Sequence, residues 1–525
     1  MGVTTTRRPA LGWALLATLA SGFLYSQAFP TTAVRPLAWV ALVPFLLVVR
    51  RAGARRAVGL GWVLMLALAY GVNDWFPRAV SRYYEQPASI GFAFFLGVTT
   101  FTAAPASMAF AWVYQRMARH PSLWLPWIAA AAWVAGELAR TRLLGDPWVL
   151  FGYSQIGTDR LVQIADLTGV YGISFVLVAV NAAVAEVIDA AWQRPAAVPP
   201  MLASVAGTVV LVAVALLYGT QRLADLDAGG AATPHRVLLV QGDVDREAQW
   251  RSDQHGANLQ RYLDLTRRAL ENGAAEASDG LLVVWPENAV TFFLDDEAEY
   301  RTAIGAMLEP HGATLVAGGP RSAQHDPAVY HNTAFLLTPD GRIEGWYDKL
   351  ALLPFAEYFP MSWLDFMRRR FAQVREFTPG EPSPPLRTTA GHAGVIICNE
   401  ALFAAPARHQ VRAGAELLLT LANDSWVGET KYAAQAFDMA VLRAVEQRRY
   451  LLRASTSGPS AIVEPTGRIQ ARSGAATAAT IAGAVAPRTG LTVYARVGDL
   501  FATVCAAGIV WRLAADSNGR SRIGA

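Results

Sequence analysis

A chain of 525 residues is too long for one ordinary domain and predicts two or three folding units. It is 53% hydrophobic and only 16% charged, against roughly 25% charged in a typical soluble domain, so the composition points to a membrane protein. The net charge of +4 is small and the basic residues sit in short clusters between apolar runs, a pattern of membrane topology rather than of nucleic-acid binding.

In chain order, apolar stretches at about 10–29, 35–50, 58–77, 89–114, 123–140, 162–187 and 200–219 precede a polar region, and one at about 498–514 follows it. With no water to satisfy the backbone, these should be helices, giving about eight transmembrane spans. Arg7, Arg8, Arg50, Arg51, Arg55, Arg56, Arg116, Arg119, Arg194, Arg512, Arg520 and Arg522 fall on one side if the N-terminus is cytoplasmic. Arg78, Arg82, Arg140 and Arg142 lie on the other side, but the balance places the polar region outside the cytoplasm. Ser26-Gln27-Ala28 resembles a signal-peptide cleavage site, yet the first run is long for such a segment and is expected to be retained. The expected units are a transmembrane domain at 1–219, an extracytoplasmic domain at 220–497, and a last helix with a cytoplasmic tail at 498–525.

The polar region alternates between strand-like and helical patterns. Strand-like runs are Val237–Val240, Leu281–Trp285, Thr314–Ala317, Thr333–Leu337, Gly394–Ile397 and Glu416–Leu421. Helical patterns lie near Asn258–Leu270, Leu402–Ala413 and Ala433–Tyr450, separated by Gly, Pro and Asp turns. A layered α/β domain follows.

Three segments within it carry chemistry: Val284-Trp285-Pro286-Glu287, Tyr347-Asp348-Lys349-Leu350 and Ile397-Cys398-Asn399-Glu400. Each reactive residue comes at or just beyond an apolar strand, and strand ends in α/β domains line a common crevice. Covalent acyl chemistry needs a nucleophile, a base and an oxyanion holder. Cys398, before a predicted helix whose N-terminus would favour the thiolate, suits the first role. Glu287 suits the second; Lys349, with a backbone N–H near Asn399, suits the third. Glu357 could orient the lysine or act as a second acid/base group, and Glu400 could cap the following helix or brace the site. The chain has two cysteines, Cys398 and Cys505, in such different surroundings that a disulfide is not expected. Taken singly, each residue has a bland reading: a small core hydrophobe, a turn carboxylate, a solvated lysine. Their joint order is what singles them out.

The Glu-Lys-Cys order resembles the nitrilase superfamily, whose triad sits on an αββα sandwich, and the flanking spans resemble the bacterial apolipoprotein N-acyltransferase family. Val240-Gln241-Gly242 is similar to the opening strand of that family's catalytic domain. Trp133, Glu137, Arg140, Pro147-Trp148 and Gly152-Tyr153-Ser154-Gln155 resemble its membrane-side motifs. Asn423-Asp424-Ser425-Trp426, Arg443-Ala444-Val445-Glu446 and Leu452-Arg453-Ala454 resemble its late catalytic segments. Two positions depart from the pattern: Asn399, where the family often has an aromatic, and the acidic Asp243-Val244-Asp245.

The resemblance implies transfer of a fatty acyl chain from a membrane phospholipid, through a Cys398 thioester, to the α-amino group of a lipoprotein's diacylglyceryl-cysteine. It implies a lipid-bilayer setting in the bacterial plasma membrane, no cofactor and no metal, and pocket roles for Trp250 and Trp426. Phe355, Phe359, Trp363, Leu364, Phe366 and Met367, followed by Arg368-Arg369-Arg370, read either as a packed surface helix or as a lid meeting acyl tails and phosphates. Glu137 is expected to pair with Arg140 or Arg142 and to position the 143–160 loop. Two other readings stay open: a membrane-anchored amidase of the same chemistry, and an idle membrane scaffold.

Overall fold

The structure, a computed structural model, describes residues 9–523 apart from 120–121, 194–197, 229–232, 245–248, 250, 275–279, 324–325 and 360–375. The chain divides into two units. One comprises Met1–Ser81, Gln86–Asp225 and Val497–Ala525; the other comprises Arg82–Glu85 and Leu226–Arg496.

The first unit is helical, as its long apolar runs require. Among the described residues, four helical stretches are long and apolar enough to cross a membrane: Ala54–Asn73, Ala88–Met117, Val170–Trp192 and Met201–Asp227. The last has a mean hydropathy of 2.3 yet only 17% of it is buried in protein, as expected of a face meeting hydrocarbon. Leu11–Gln27, Leu125–Leu143 and Leu500–Ile523 are further helices of the same unit.

The predicted helix at 35–50 is corrected. It forms a 3-10 turn, Arg35–Trp39, and a separate seven-residue helix, Val43–Val49. At 1.5 Å per residue that helix is about 10 Å long, too short to span hydrocarbon alone. The break is tolerable because protein surrounds it and Asn181 caps both sides. Its Nδ2 donates to the Ala38 carbonyl at 2.8 Å and its Oδ1 accepts from the Leu42 N–H at 2.7 Å.

The pairing expected for Glu137 is also corrected. Its Oε1 accepts from Trp133 Nε1 at 2.9 Å and from the Phe151 N–H at 2.7 Å. Arg140 instead pairs with Asp146, and Arg142 with Asp499. A buried carboxylate can be satisfied by neutral donors, and helix spacing alone does not reveal a loop N–H fourteen residues on. Asp166 is held by Tyr218 and Arg222.

The second unit is built on two six-stranded sheets, in the orders β12-β1-β2-β3-β4-β5 and β11-β10-β9-β8-β7-β6. In the first, β1 (His235–Gln241), β2 (Leu281–Val284) and β3 (Thr314–Ala323) run parallel. There β4 (Asp326–Leu337), β5 (Ile343–Asp348) and β12 (Ala479–Val485) complete the sheet antiparallel to their neighbours. In the second, β7 (Gly391–Ile397), β8 (Leu417–Ala422) and β9 (Leu451–Ser455) are parallel. Its edges are β6 (Leu386–Thr388) on one side and β10 (Ala461–Val463) with β11 (Ile469–Arg472) on the other.

Period-two alternation decides the layers. Val237, Leu239, Leu282 and Val284 face Val395, Ile397, Leu417 and Leu419 of the other sheet. Their neighbours Leu238, Val240, Leu281 and Val283 face outward, onto Leu259, Tyr262 and Leu263 of the helix His255–Ala269 and Ile304 and Leu308 of Ala298–Leu308. Helices Ala404–Arg412 and Thr430–Gln447 pack on the second sheet. The result is the expected αββα sandwich.

Candidate active site

Facing sheets bring their strand ends together, and three of those ends carry the predicted triad. Glu287 follows β2 by three residues, Lys349 follows β5 directly, and Cys398 follows β7 directly. The turn at Glu287 is pressed against β3 at Gly318, where a Cβ would lie 2.6 Å from the Pro286 carbonyl oxygen and 2.7 Å from Glu287 Cα. Only glycine allows that approach.

Glu287 and Lys349 are almost wholly buried and share one polar cluster. Lys349 Nζ stands 3.6 Å from Glu287 Oε1 and 2.8 Å from Glu357 Oε2. Asn332, on β4, donates from Nδ2 to Glu287 at 2.7 Å and to Glu357 at 2.8 Å, tying the two carboxylates together. Glu357 also accepts from the Leu353 N–H at 2.7 Å, so the loop bearing it closes over the lysine. Glu357 thus joins the lysine to the Leu353 turn.

The electrostatics follow from this crowding. Burial opposes the charge on Lys349, but the carboxylates of Glu357 and Glu287 outweigh it and hold the ammonium protonated beyond its ordinary range. Burial raises Glu287; Lys349 pulls it back and Glu357 pushes it up, while hydrogen bonds from Asn332 and from the Cys398 thiol lower it. Burial likewise raises the Cys398 thiol, the Glu287 charge adds to this, and Lys349 and a hydrogen bond from the Asn423 N–H oppose it. Burial thus favours the uncharged form of the Cys398 thiol.

Cys398 takes a left-handed conformation, φ +52°, which a β-carbon makes uncommon and which costs about 1–3 kcal/mol. The expected helix N-terminus behind it is corrected: a 3-10 turn, Cys398–Leu402, follows, and the α-helix starts only at Ala404. A helix dipole acts within about its first turn, so it does not lower the thiol. Glu400 holds the turn instead. Its buried carboxylate accepts from the Ile397 N–H at 2.7 Å, the Leu350 N–H at 2.8 Å, the Ala351 N–H at 3.0 Å and the Tyr347 hydroxyl at 3.0 Å. It thereby ties the nucleophile's strand to the lysine's. Asn399 adds a second tie, donating to the Ala351 carbonyl at 3.0 Å.

Trp426 packs edge-on against Tyr83 and Tyr432, with centroids 5.7 and 5.9 Å away. Burial first and the nearby Cys398 charge second raise the Tyr432 phenol. Trp250 lies outside the described residues, as do Trp363, Leu364, Phe366, Met367 and Arg368–Arg370 of the possible lid. Phe355 and Phe359 stack edge-to-face at 5.7 Å, and Tyr84 donates to the Phe355 carbonyl. Both cysteines are free, and among the described residues no group of His, Cys, Asp and Glu is arranged to hold a metal. Sequence reading missed Asn332 and the Asn423 N–H. Asn332 sits in an unremarkable antiparallel strand, and a backbone donor leaves no residue-type signal.

One pH effect follows from these groups. Proton transfer from the thiol requires ionised Glu287, whose pKa is raised, so the acid limb of acylation should lie above the ordinary carboxylate range. Glu357→Gln removes a charge that raises Glu287 and frees Lys349 to pair with it, and both effects lower its pKa. The acid limb should then move to lower pH while the plateau rate falls, measured as single-turnover Cys398 acylation against pH. A limb that moves upward would contradict this wiring.

Residues 21–183 match the apolipoprotein N-acyltransferase N-terminal domain, and residues 238–492 match the carbon-nitrogen hydrolase family. An apolipoprotein N-acyltransferase of Geobacter metallireducens is 35% identical over 94% of this chain and 93% of its own. One of Azotobacter vinelandii is 30% identical over 93% of this chain and 92% of its own. Among solved structures, an amidase from Nesterenkonia sp. is 20% identical, covering 51% of this chain and 94% of its own with a TM-score of 0.37. On the extent and identity of the full-length relatives, the chain belongs to the apolipoprotein N-acyltransferase family.

Proposed function

We propose that this protein moves a fatty acyl chain from a membrane phospholipid to the α-amino group of the N-terminal diacylglyceryl-cysteine of lipoproteins. The observation that carries the chemistry is the convergence of Cys398, Glu287 and Lys349 at neighbouring strand ends, with Lys349 Nζ 3.6 Å from Glu287 Oε1. In the first half-reaction the thiol gives its proton to Glu287 and Sγ attacks the ester carbonyl carbon. Lys349 steadies the negative oxygen that forms. Collapse breaks the ester C–O bond; the lysophospholipid leaves with the proton from Glu287, and the acyl chain stays on Sγ as a thioester. In the second, the neutral amine of the acceptor attacks the thioester carbonyl and loses a proton to Glu287. The C–S bond breaks, Sγ takes that proton back, and an amide is released.

Glu357, Asn399 and Glu400 serve as supports: Glu357 grips the lysine, and Asn399 and Glu400 brace the two strand ends. Trp426 lines the substrate pocket. About eight segments cross the plasma membrane, with Arg35–Val49 entering as the protein-surrounded broken element. The arginine distribution supports an orientation with the N-terminus in the cytoplasm and residues 220–497 outside it.

Mass spectrometry of the protein after exposure to phospholipid vesicles tests the central step. The unsubstituted chain should gain one acyl mass on Cys398, and a diacylated lipopeptide should discharge it. A Cys398→Ala variant that still carries the adduct would sink the assignment. Acylation of Cys398 by a simple amide alone, with none from phospholipid, would favour an amidase.

A further inference from the structure

One end of the helical unit gathers arginines that the acyl-transfer scheme does not use. Arg50 and Arg51 follow the helix Val43–Val49, Arg55 and Arg56 lie in the first turn of Ala54–Asn73, and Arg116 and Arg119 flank the end of Ala104–Met117. Short links hold these segments in place. Gln115 Nε2 donates to the Ala52 carbonyl at 2.9 Å, Arg119 donates to Gln115 Oε1 at 3.3 Å, and Arg56 donates to the Pro9 carbonyl at 2.8 Å.

The protein supplies too few acceptors for these cations. Arg50 and Arg51 share Asp189, at 3.1 and 2.6 Å, and Arg116 pairs with Asp516 at 2.7 Å. Glu186, one helical turn before Asp189, accepts instead from the Ser204 hydroxyl at 2.6 Å. Among the described residues, Arg50 Nη1, Arg51 Nε, Arg56 Nε and Nη2 and Arg116 Nε have no hydrogen-bond partner although they are buried. Buried donors in proteins are nearly always paired. Arginines that only set topology would extend their charged heads into water. Here Arg50, Arg51 and Arg116 keep only 16%, 25% and 20% of their side chains exposed, enough for a ligand to reach them from outside.

The start of Ala54–Asn73 points the same way. Gly53 precedes it with no side-chain cap, and its first turn has no acidic residue. This positive helix end carries Arg55 and Arg56 instead, an arrangement that the helix dipole disfavours and that an anion would relieve. The surroundings say what bears the anion. Ala54–Asn73 and Val170–Trp192 are long and apolar enough to cross a membrane, and the arginines sit at their ends. The Arg51 guanidinium lies 5.6 Å from the ring of Trp192, which is 66% exposed, and that of Arg116 lies 5.7 Å from Trp112. Tryptophan beside arginine at the end of a spanning helix marks the height of lipid headgroups. We propose that this arginine cluster binds the phosphate of an anionic phospholipid, at a site formed wholly by the helical unit. On the orientation proposed above, that lipid belongs to the cytoplasmic leaflet.

The test is the thermal midpoint of the full chain in neutral detergent as phosphatidylglycerol, phosphatidylcholine or inorganic phosphate is titrated in. A ligand that binds only the folded chain raises the midpoint. Phosphatidylglycerol should raise it, phosphatidylcholine much less and inorganic phosphate not at all, and the rise should shrink with added salt. Arg55→Gln with Arg56→Gln should weaken the apparent affinity for phosphatidylglycerol by about tenfold or more. Without lipid the same variant should be at least as stable as the parent, because it removes cations from a helix start; a purely structural role predicts a loss there. Arg51→Gln leaves Asp189 its Arg50 partner and should also weaken the response, and it decides the matter if the double variant does not fold. An equal rise with phosphatidylcholine, or an unchanged response in the folded variants, would overturn the proposal. So would a full rise with inorganic phosphate alone, which would make the ligand a free anion. The readout needs no turnover and is repeated on Cys398→Ala, so a failure of acyl transfer and a failure of this site are told apart.

Discussion

Lys349→Met should reduce the single-turnover rate of Cys398 acylation by a factor of about 100 to 1000, the usual loss on removing one oxyanion donor. The geometry argues for the upper end. Lys349 is 1% exposed and is the cation shared by Glu287 and Glu357, so its loss strands two carboxylates in a buried site. They would then take up protons, which removes the base along with the oxyanion holder. Lys349→Arg should recover little, since a planar guanidinium does not fit the volume of a buried ammonium with donors aimed at two carboxylates. Thioester formation followed by mass spectrometry provides the rates. A methionine variant within tenfold of the original would remove Lys349 from the chemistry.

Glu446→Ala should cost about 3–5 kcal/mol of stability, the penalty for leaving a buried charge without its partner. Arg443 and Glu446 lie three residues apart on the helix Thr430–Gln447, joined at 3.0 Å, and both are fully buried. This helix packs on the sheet that carries Cys398, so activity should fall with stability rather than separately from it. The thermal midpoint in detergent measures the loss. Arg443→Met with Glu446→Leu should restore most of it, because apolar side chains of similar volume replace a buried pair at little cost. A single variant as stable as the original would show that the pair contributes nothing.

Asn399 makes a contact that an aromatic side chain could not. Its amide ties the nucleophile turn to the Ala351 carbonyl beside the lysine. Glu400 makes the same connection more strongly, through three backbone N–H groups and a tyrosine hydroxyl. The departure at 399 therefore leaves the triad's support intact.

Local patterns sufficed for much of this protein. The layered α/β class was readable because short apolar runs, as in Val237–Val240 and Leu281–Val284, are interleaved with helical patterns, whereas the αββα arrangement was implied only by the resemblance to the nitrilase superfamily. Glu287, Lys349 and Cys398 were readable because each sits at the end of such a strand, and their order in the chain matches a family. The short strands β10 and β11 were not readable, since three or four residues hold too few periods to register. Nor was the break near Val40 in the second apolar run, whose composition is that of a continuous span but whose backbone is satisfied by Asn181, about 140 residues away in sequence. The site divides the same way. Its reactive groups were written in local motifs, whereas what sets their protonation was decided by the tertiary structure: the Asn332 bridge, the Glu357 grip, the Glu400 brace and the Asn423 N–H. Those are contacts between segments distant in sequence, and no periodicity within one segment records which buried donor a distant carboxylate will meet.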